Sequence, residues 1–178
     1  MRRLPRLTGL FLIVIFATGA AANAQAPATA TLTFVDLTGK SHSLGEYQGK
    51  VVVLNFWATW CFPCREEMPM LNKLAPELAE RDVIFLAVSL DDEPSRSKIP
   101  RFIEKKKITL PVFTGGTAAT LAQFELGNVV PATVIFDRDG SPVFRILGEA
   151  SKKDIASRVD WLLSDRTGKK PKELRKNL

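Results

Sequence analysis

The chain has 178 residues, 46% of them hydrophobic, and carries two cysteines and one histidine. That is enough apolar material for one packed domain and too few ligands for a structural zinc site, which takes about four. The formal net charge of +6 sits at the two ends of the chain, and no aromatic–basic stacking pattern accompanies it, which excludes a nucleic-acid-binding protein.

Residues 1–26 read as a secretory signal. Arg2, Arg3 and Arg6 make its basic region, residues 7–17 its apolar region, and small residues lead to a cleavage site at Ala24-Gln25-Ala26. An uncleaved anchor is the alternative reading and needs around twenty apolar residues. Here the strongly apolar stretch stops near Phe16, and Thr18, Gly19 and Asn23 dilute the residues beyond it. No cysteine follows the apolar region, so lipid attachment there is excluded, and the end Lys176-Asn177-Leu178 is no retention signal. Cleavage removes three arginines and leaves a net +3, of which the tail 166–178 contributes +5 and the body about −2. The tail reads as a frayed, solvated terminus, with weak contact to anionic lipid as the alternative. The domain boundaries are therefore 1–26 for the signal, 27–165 for one domain and 166–178 for a basic C-terminal tail.

After a leader of small residues, 31–35 alternate and predict a strand, Asp36-Leu37-Thr38-Gly39 a turn, and 40–44 a returning strand. Gly49-Lys50 punctuates the entry to 51–57, a continuous apolar run suited to a central parallel strand. A helix opens at Cys61 and runs through Glu66, Met68, Leu71 and Leu74; Pro69 predicts a kink and Pro76 the start of a separate segment. Residues 83–90 predict a second buried strand, and 93–107 a helix with a basic face, interrupted near Pro100. Residues 110–113 predict a third short strand and 118–126 a third helix. Strands at 130–136 and 142–147 flank the hairpin turn Asp137-Arg138-Asp139-Gly140. Residues 151–164 close the domain as a helix, with Ser151 as N-cap and Asp154 three residues on. This order predicts an α/β fold, an open mixed sheet flanked by helices.

The chemistry lies in Cys61-Phe62-Pro63-Cys64. An apolar strand delivers both cysteines to the first turn of a helix, where unpaired N–H groups and roughly half a positive charge stabilise a thiolate. Cys61, nearer the helix start, is the predicted nucleophile; Cys64 is the resolving thiol, within reach to close a disulfide. This is dithiol redox chemistry, with no organic cofactor or metal required. A purely structural bridge is the alternative, but so short a loop scarcely restricts the unfolded chain. Pro63 has no N–H to leave unpaired in the first turn, and Phe62 brings neither charge nor hydrogen bond to Cys61. A haem attachment motif needs His where Arg65 stands. The peroxiredoxin pattern Pro-x-x-x-Thr-x-x-Cys is not met, since Ala58 stands three before Cys61 and Thr59 is one place out of register. His42, distant in the first hairpin, reads as a surface residue.

The stretch from Asn55 to Cys64 resembles the active site of the thioredoxin superfamily. The element order is similar to its secreted TlpA-like or ResA-like branch over roughly residues 31–164. The resemblance implies a thioredoxin-like mixed sheet with an added N-terminal β-hairpin and an extra βα element. Pro131 takes the place of the family's cis-proline, which sets the chain beside the disulfide and leaves the Val130 backbone free to pair with an extended substrate strand. Val130-Pro131-Ala132-Thr133 departs from the Gly-Ala-Pro-Glu of CcmG-type reductants. Asn55 stands where cytoplasmic thioredoxins carry a buried Asp, and Asn cannot titrate. Glu67, three residues after Cys64 on the same helical face, matches a Glu in ResA-type proteins and is the candidate proton relay for Cys64. Glu66 beside it reads as solvated. Trp57 and Trp60 read as packing residues, Trp60 also walling a substrate groove with Phe62, Pro63 and Val130. Without the His of the strongly oxidising DsbA-type motif, the pair reads as a reductant. The implied function is periplasmic reduction of disulfides in exported proteins, with an upstream membrane thiol donor. The implied targets are apocytochrome c, with its Cys-x-x-Cys-His site, or a copper-site protein of the respiratory chain. The alternatives are an oxidant or isomerase using the same residues, and a metallochaperone holding Cu(I) between Cys61 and Cys64. No Met-rich stretch supports the latter, since Met68 and Met70 lie within the helix.

Overall fold

The computed structural model describes residues 32–176; the signal 1–26, the leader and Thr31 lie outside the described residues. β1 (Thr33–Asp36) and β2 (Ser41–Ser43) form the N-terminal hairpin. A short 3-10 helix, Leu44–Tyr47, follows and takes Leu44, the last residue of the expected strand. Ser43 and Glu46 explain it, because together they make a capping box at its start. His42 is also more engaged than expected. Its ring lies 2.9 Å from Asp36 Oδ2 and 3.2 Å from Glu46 Oε2, edge-on to Phe113, and the Asp36 hydrogen bond raises its pKa above 6.5.

β3 (Val51–Trp57) is central, with all seven residues buried. It pairs parallel with β4 (Val83–Ser89) and antiparallel with β6 (Ala132–Phe136). Outside them lie β5 (Val112–Thr114) and β7 (Pro142–Leu147), and the full sheet runs β2-β1-β5-β4-β3-β6-β7-β8, ending in β8 (Leu174–Arg175). Side chains of a strand alternate between faces. Val51, Val53 and Trp57 therefore pack beneath α1 (Phe62–Ala79), α3 (Ile99–Lys106) and α5 (Lys152–Leu163). Val52, Leu54 and Phe56 join the opposite core with Leu121 of α4 (Ala118–Gln123). Asn55 shares the face of Val53 and Trp57, so β3 carries one amide into the core beside α1.

Two expectations about helices resolve differently. The break near Pro100 is present: α2 (Glu93–Arg96) ends before α3 begins, with Pro100 in the first turn, where its missing N–H costs nothing. Pro76, by contrast, does not start a new segment, and α1 runs unbroken through Pro69 and Pro76 to Ala79. An interior proline costs about 3 kcal/mol. Leu71, Leu74 and Leu78 are all at most 2% exposed, and each contributes about 1.5–3 kcal/mol when buried. Their combined burial outweighs the two lost hydrogen bonds, and the Pro76 ring points to solvent.

The basic tail is the other correction. Instead of fraying, it returns along the domain: β8 pairs parallel with β7, Arg158 donates to the Lys172 carbonyl, and the Lys170 ammonium sits 5.5 Å over the Phe144 ring. Gly116 marks a tight contact elsewhere. Its N–H donates to the Ser89 carbonyl at 3.0 Å, and a Cβ on it would stand 2.9 Å from that same oxygen. Because the obstacle is backbone, Gly116→Ala should displace the loop after β5 from the end of β4. We expect a loss of about 1–3 kcal/mol in urea denaturation; an unchanged midpoint would show that the loop moves freely.

Candidate active site

Past Trp57 the chain turns sharply to reach α1, and hydrogen bonds fix the turn at each step. Leu90 N–H donates to the Trp57 carbonyl at 2.8 Å and Cys61 N–H to the Ala58 carbonyl at 3.2 Å. Asp91, only 2% exposed, accepts from Thr59 N–H at 2.8 Å, Thr59 Oγ1 at 2.5 Å and Ser89 Oγ at 2.7 Å. A buried carboxyl group satisfied by three hydrogen bonds is a strong constraint on the turn. Sequence reasoning passed over Asp91, because its partner lies 32 residues away and the Asp91-Asp92 pair looks like an ordinary helix start. The only sequence signal was Thr59 itself, a hydroxyl just before the cysteines.

Cys61 is the N-cap of α1, its Sγ accepting from Cys64 N–H at 3.2 Å, with Pro63 in the first turn. The two cysteines form a disulfide with Cα atoms 5.3 Å apart. Cys61 is 6% exposed and Cys64 1%, so the first sulfur is the one nearer solvent. The Val130–Pro131 peptide is cis, and the Val130 carbonyl oxygen lies 3.6 Å from Cys61 Sγ. In the disulfide this is a contact only; a Cys61 thiol there has an acceptor for its proton. Pro131 is buried and Val130 half-buried.

The two tryptophans part company. Trp57 is fully buried with its ring 5.1 Å from Phe102, as expected of a packing residue. Trp60 is not packed: it and Phe62 are 60% and 65% exposed on either side of Cys61. The Arg65 guanidinium stands 5.8 Å over the Phe62 ring. Large apolar side chains held in water beside a reactive centre are characteristic of a surface that another molecule covers.

Glu67 lies one turn beyond Cys64 and is 2% exposed. Its Oε1 accepts from Ala150 N–H at 2.8 Å, and Oε2 stands 3.5 Å from Asn55 Nδ2, which also donates to Thr133 Oγ1 at 3.1 Å. Burial pushes the carboxyl up to about 7 and outweighs the bonds from Ala150 and Asn55; Glu149 adds to the rise and Lys176 opposes it. A carboxyl with that affinity can both take and release a proton near neutrality. The structure thus gathers Cys61, Cys64, Val130 and Pro131 at one point. It ties Glu67 to the same helix, to β3 and to the loop before α5, while Glu66 is exposed and 3.9 Å from Lys106.

Residues 21–141 match the AhpC/TSA family. The chain belongs to the AhpC/TSA family. It is 37% identical over 125 residues to the thiol-disulfide oxidoreductase ResA of Geobacillus kaustophilus, covering 70% of each chain. Among solved structures, it resembles a thioredoxin-family thiol:disulfide interchange protein from Chlorobium tepidum. That match has 25% identity and a TM-score of 0.65, and covers 80% of this chain and 100% of the other. It also resembles the exposed lipoprotein thioredoxin of Streptococcus pneumoniae, with 26% identity and a TM-score of 0.63, over 74% of this chain and 98% of the other. This AhpC/TSA member is thus a ResA-like thiol–disulfide oxidoreductase of thioredoxin-like fold. Its cysteine departs from the peroxiredoxin pattern, and Thr59 Oγ1 is committed to Asp91 at 2.5 Å.

Proposed function

We propose that this oxidoreductase reduces disulfides of exported proteins in the periplasm. The observation that carries the reading is the Cys61–Cys64 disulfide itself, its outer sulfur set between the exposed Trp60 and Phe62 and against the Val130 carbonyl. In the reduced form, the Cys61 thiolate attacks a target disulfide and expels one target thiolate, leaving a mixed disulfide. Cys64 then gives its proton to Glu67 and attacks Cys61 Sγ. The second target thiolate leaves, and two electrons have passed from the pair to the target. Pro131 and the Val130 backbone line the extended target chain, and Trp60, Phe62 and Pro63 wall it. An upstream membrane thiol donor restores the dithiol.

Direction is read from position 62. Phe62 gives the Cys61 thiolate neither charge nor hydrogen bond, so the dithiol is less stabilised and the disulfide less oxidising. Export is supported by the signal pattern of 1–26, and the mature protein is then the domain 27–165 with its tail 166–178. Among the described residues no helix is long and apolar enough to cross a membrane. Target classes are apocytochrome c with a Cys-x-x-Cys-His site and copper-site proteins of the respiratory chain. The test mixes reduced protein with an oxidised Cys-x-x-Cys-His peptide. Peptide thiols should appear in step with the Cys61–Cys64 disulfide. If instead the oxidised protein converts reduced peptide to disulfide and the reverse reaction fails, the protein is an oxidant.

A further inference from the structure

Glu67 is buried but not sealed. A cleft of about 410 Å³ reaches it from the surface, bordered by Glu66, Met70, Glu149, Lys152 and Lys176. Lys176 belongs to the tail, 109 positions beyond Glu67 in sequence, and a specific set of contacts brings it there. β8 pairs with β7 through Ile146 with Leu174 and Leu147 with Arg175, and Lys176 N–H continues the ladder to the Leu147 carbonyl at 2.9 Å. Arg158, only 4% exposed, bridges the Asp154 carbonyl at 2.7 Å and the Lys172 carbonyl. Lys176 Nζ then meets Asp154 Oδ2 at 2.6 Å.

We propose that Lys176 is a positioning residue for Glu67: β8 carries its ammonium to the cleft that the Glu67 carboxyl also lines, so the C-terminal strand is a working part of the redox site. The inference rests on the reading of Glu67 as proton acceptor for Cys64. The other charges around the carboxylate leave this role to Lys176. From α1, Glu66 is directed toward Lys106 at 3.9 Å. From α5, Lys152 pairs with Glu77 where both side chains are more than half exposed and water screens them, whereas the Lys176–Asp154 pair is more enclosed, at 37% and 20%; Asp154 also accepts from Ser151 N–H at 2.8 Å. From the loop before α5, Glu149 is an anion that disfavours a second one, and Ala150 N–H is neutral; from β3, Asn55 is neutral too. Lys176 is the cation among these groups whose charge lowers the proton affinity of Glu67, against the burial that raises it. Its ion pair is with Asp154, so it acts on Glu67 through space. It therefore biases the carboxylate toward the proton-accepting form without locking it in a salt bridge.

The test uses full-length reduced protein carrying Lys176→Met or Lys176→Arg. The Glu67 carboxyl is titrated by carbon NMR, and the pH profile of mixed-disulfide release is measured in parallel. Lys176→Met should move the Glu67 titration upward by about half a pH unit and carry the pH profile with it, while Lys176→Arg should keep both near the parent. A strap with only a structural role would lower the melting temperature of Lys176→Met and leave the titration in place. That result overturns the proposal while the relay reading survives. If Glu67→Gln leaves the pH profile of release like the parent's, the relay reading fails, and the role of Lys176 fails with it.

Discussion

Replacing Cys64 with serine should halt turnover at the mixed disulfide, lowering reductase activity by on the order of a thousandfold or more. The outer sulfur at the N-cap can still attack a target, since Cys61 keeps the Cys64-position N–H that bonds its sulfur at 3.2 Å. What is lost is the inner thiol, on a residue only 1% exposed in the disulfide, that would expel the product. Covalent target adducts should therefore accumulate on Cys61 in Cys64→Ser and be separable on non-reducing gels. Cys61→Ser should give none, because the remaining thiol faces the core. Equal adduct yields from both variants would contradict the assignment of attacking and resolving thiols.

Glu67→Gln should have the second largest effect, and its sign depends on pH. The folded protein holds Glu67 at about 7, against an ordinary 4.5. A raised value means the folded state prefers the neutral acid. The associated stability is fully present below about pH 4.5 and is lost as pH rises through about 7. Glutamine keeps the shape and the acceptor for Ala150 N–H without that penalty. The variant should therefore match its parent near pH 4 and exceed it by up to about 3 kcal/mol above pH 8. The same change removes a negative charge that opposes a thiolate in a low-dielectric site, so the thiol pKa values should fall by about one unit, or about 1.4 kcal/mol. Turnover should nonetheless drop by about a hundredfold, because Cys64 loses its proton acceptor. Parent-like thiol titration together with parent-like turnover would reduce Glu67 to a structural acid.

The parts legible in the sequence were those fixed by local pattern. The apolar run at Val51–Trp57 announces a strand buried on both faces, and the structure buries every residue of it. Ser151 and Asp154 announce a capped helix, and both cap bonds are present. The dithiol was legible because an N-cap thiol three residues from a second one is itself a local arrangement. What escaped depends on contacts between distant segments. Leu174-Arg175 is too short and too charged to read as a strand, and it becomes one only because β7 offers a free edge and Arg158 reaches Lys172. Asp91 matters through Thr59, and of the two roles read for Trp60, packing and walling a groove, its 60% exposure leaves the second. Pro76 misled because the local penalty is visible in sequence, whereas the buried leucines that outweigh it are not.

The central claim is that the Cys61–Cys64 pair gives electrons to its targets, and its reduction potential tests that most directly. Equilibration of the protein against a glutathione redox series, read by the fraction of Cys61–Cys64 disulfide, should give a value nearer the roughly −270 mV of thioredoxin. A value near the roughly −120 mV of DsbA would mean that the pair takes electrons from its targets, and the reductase account would fall.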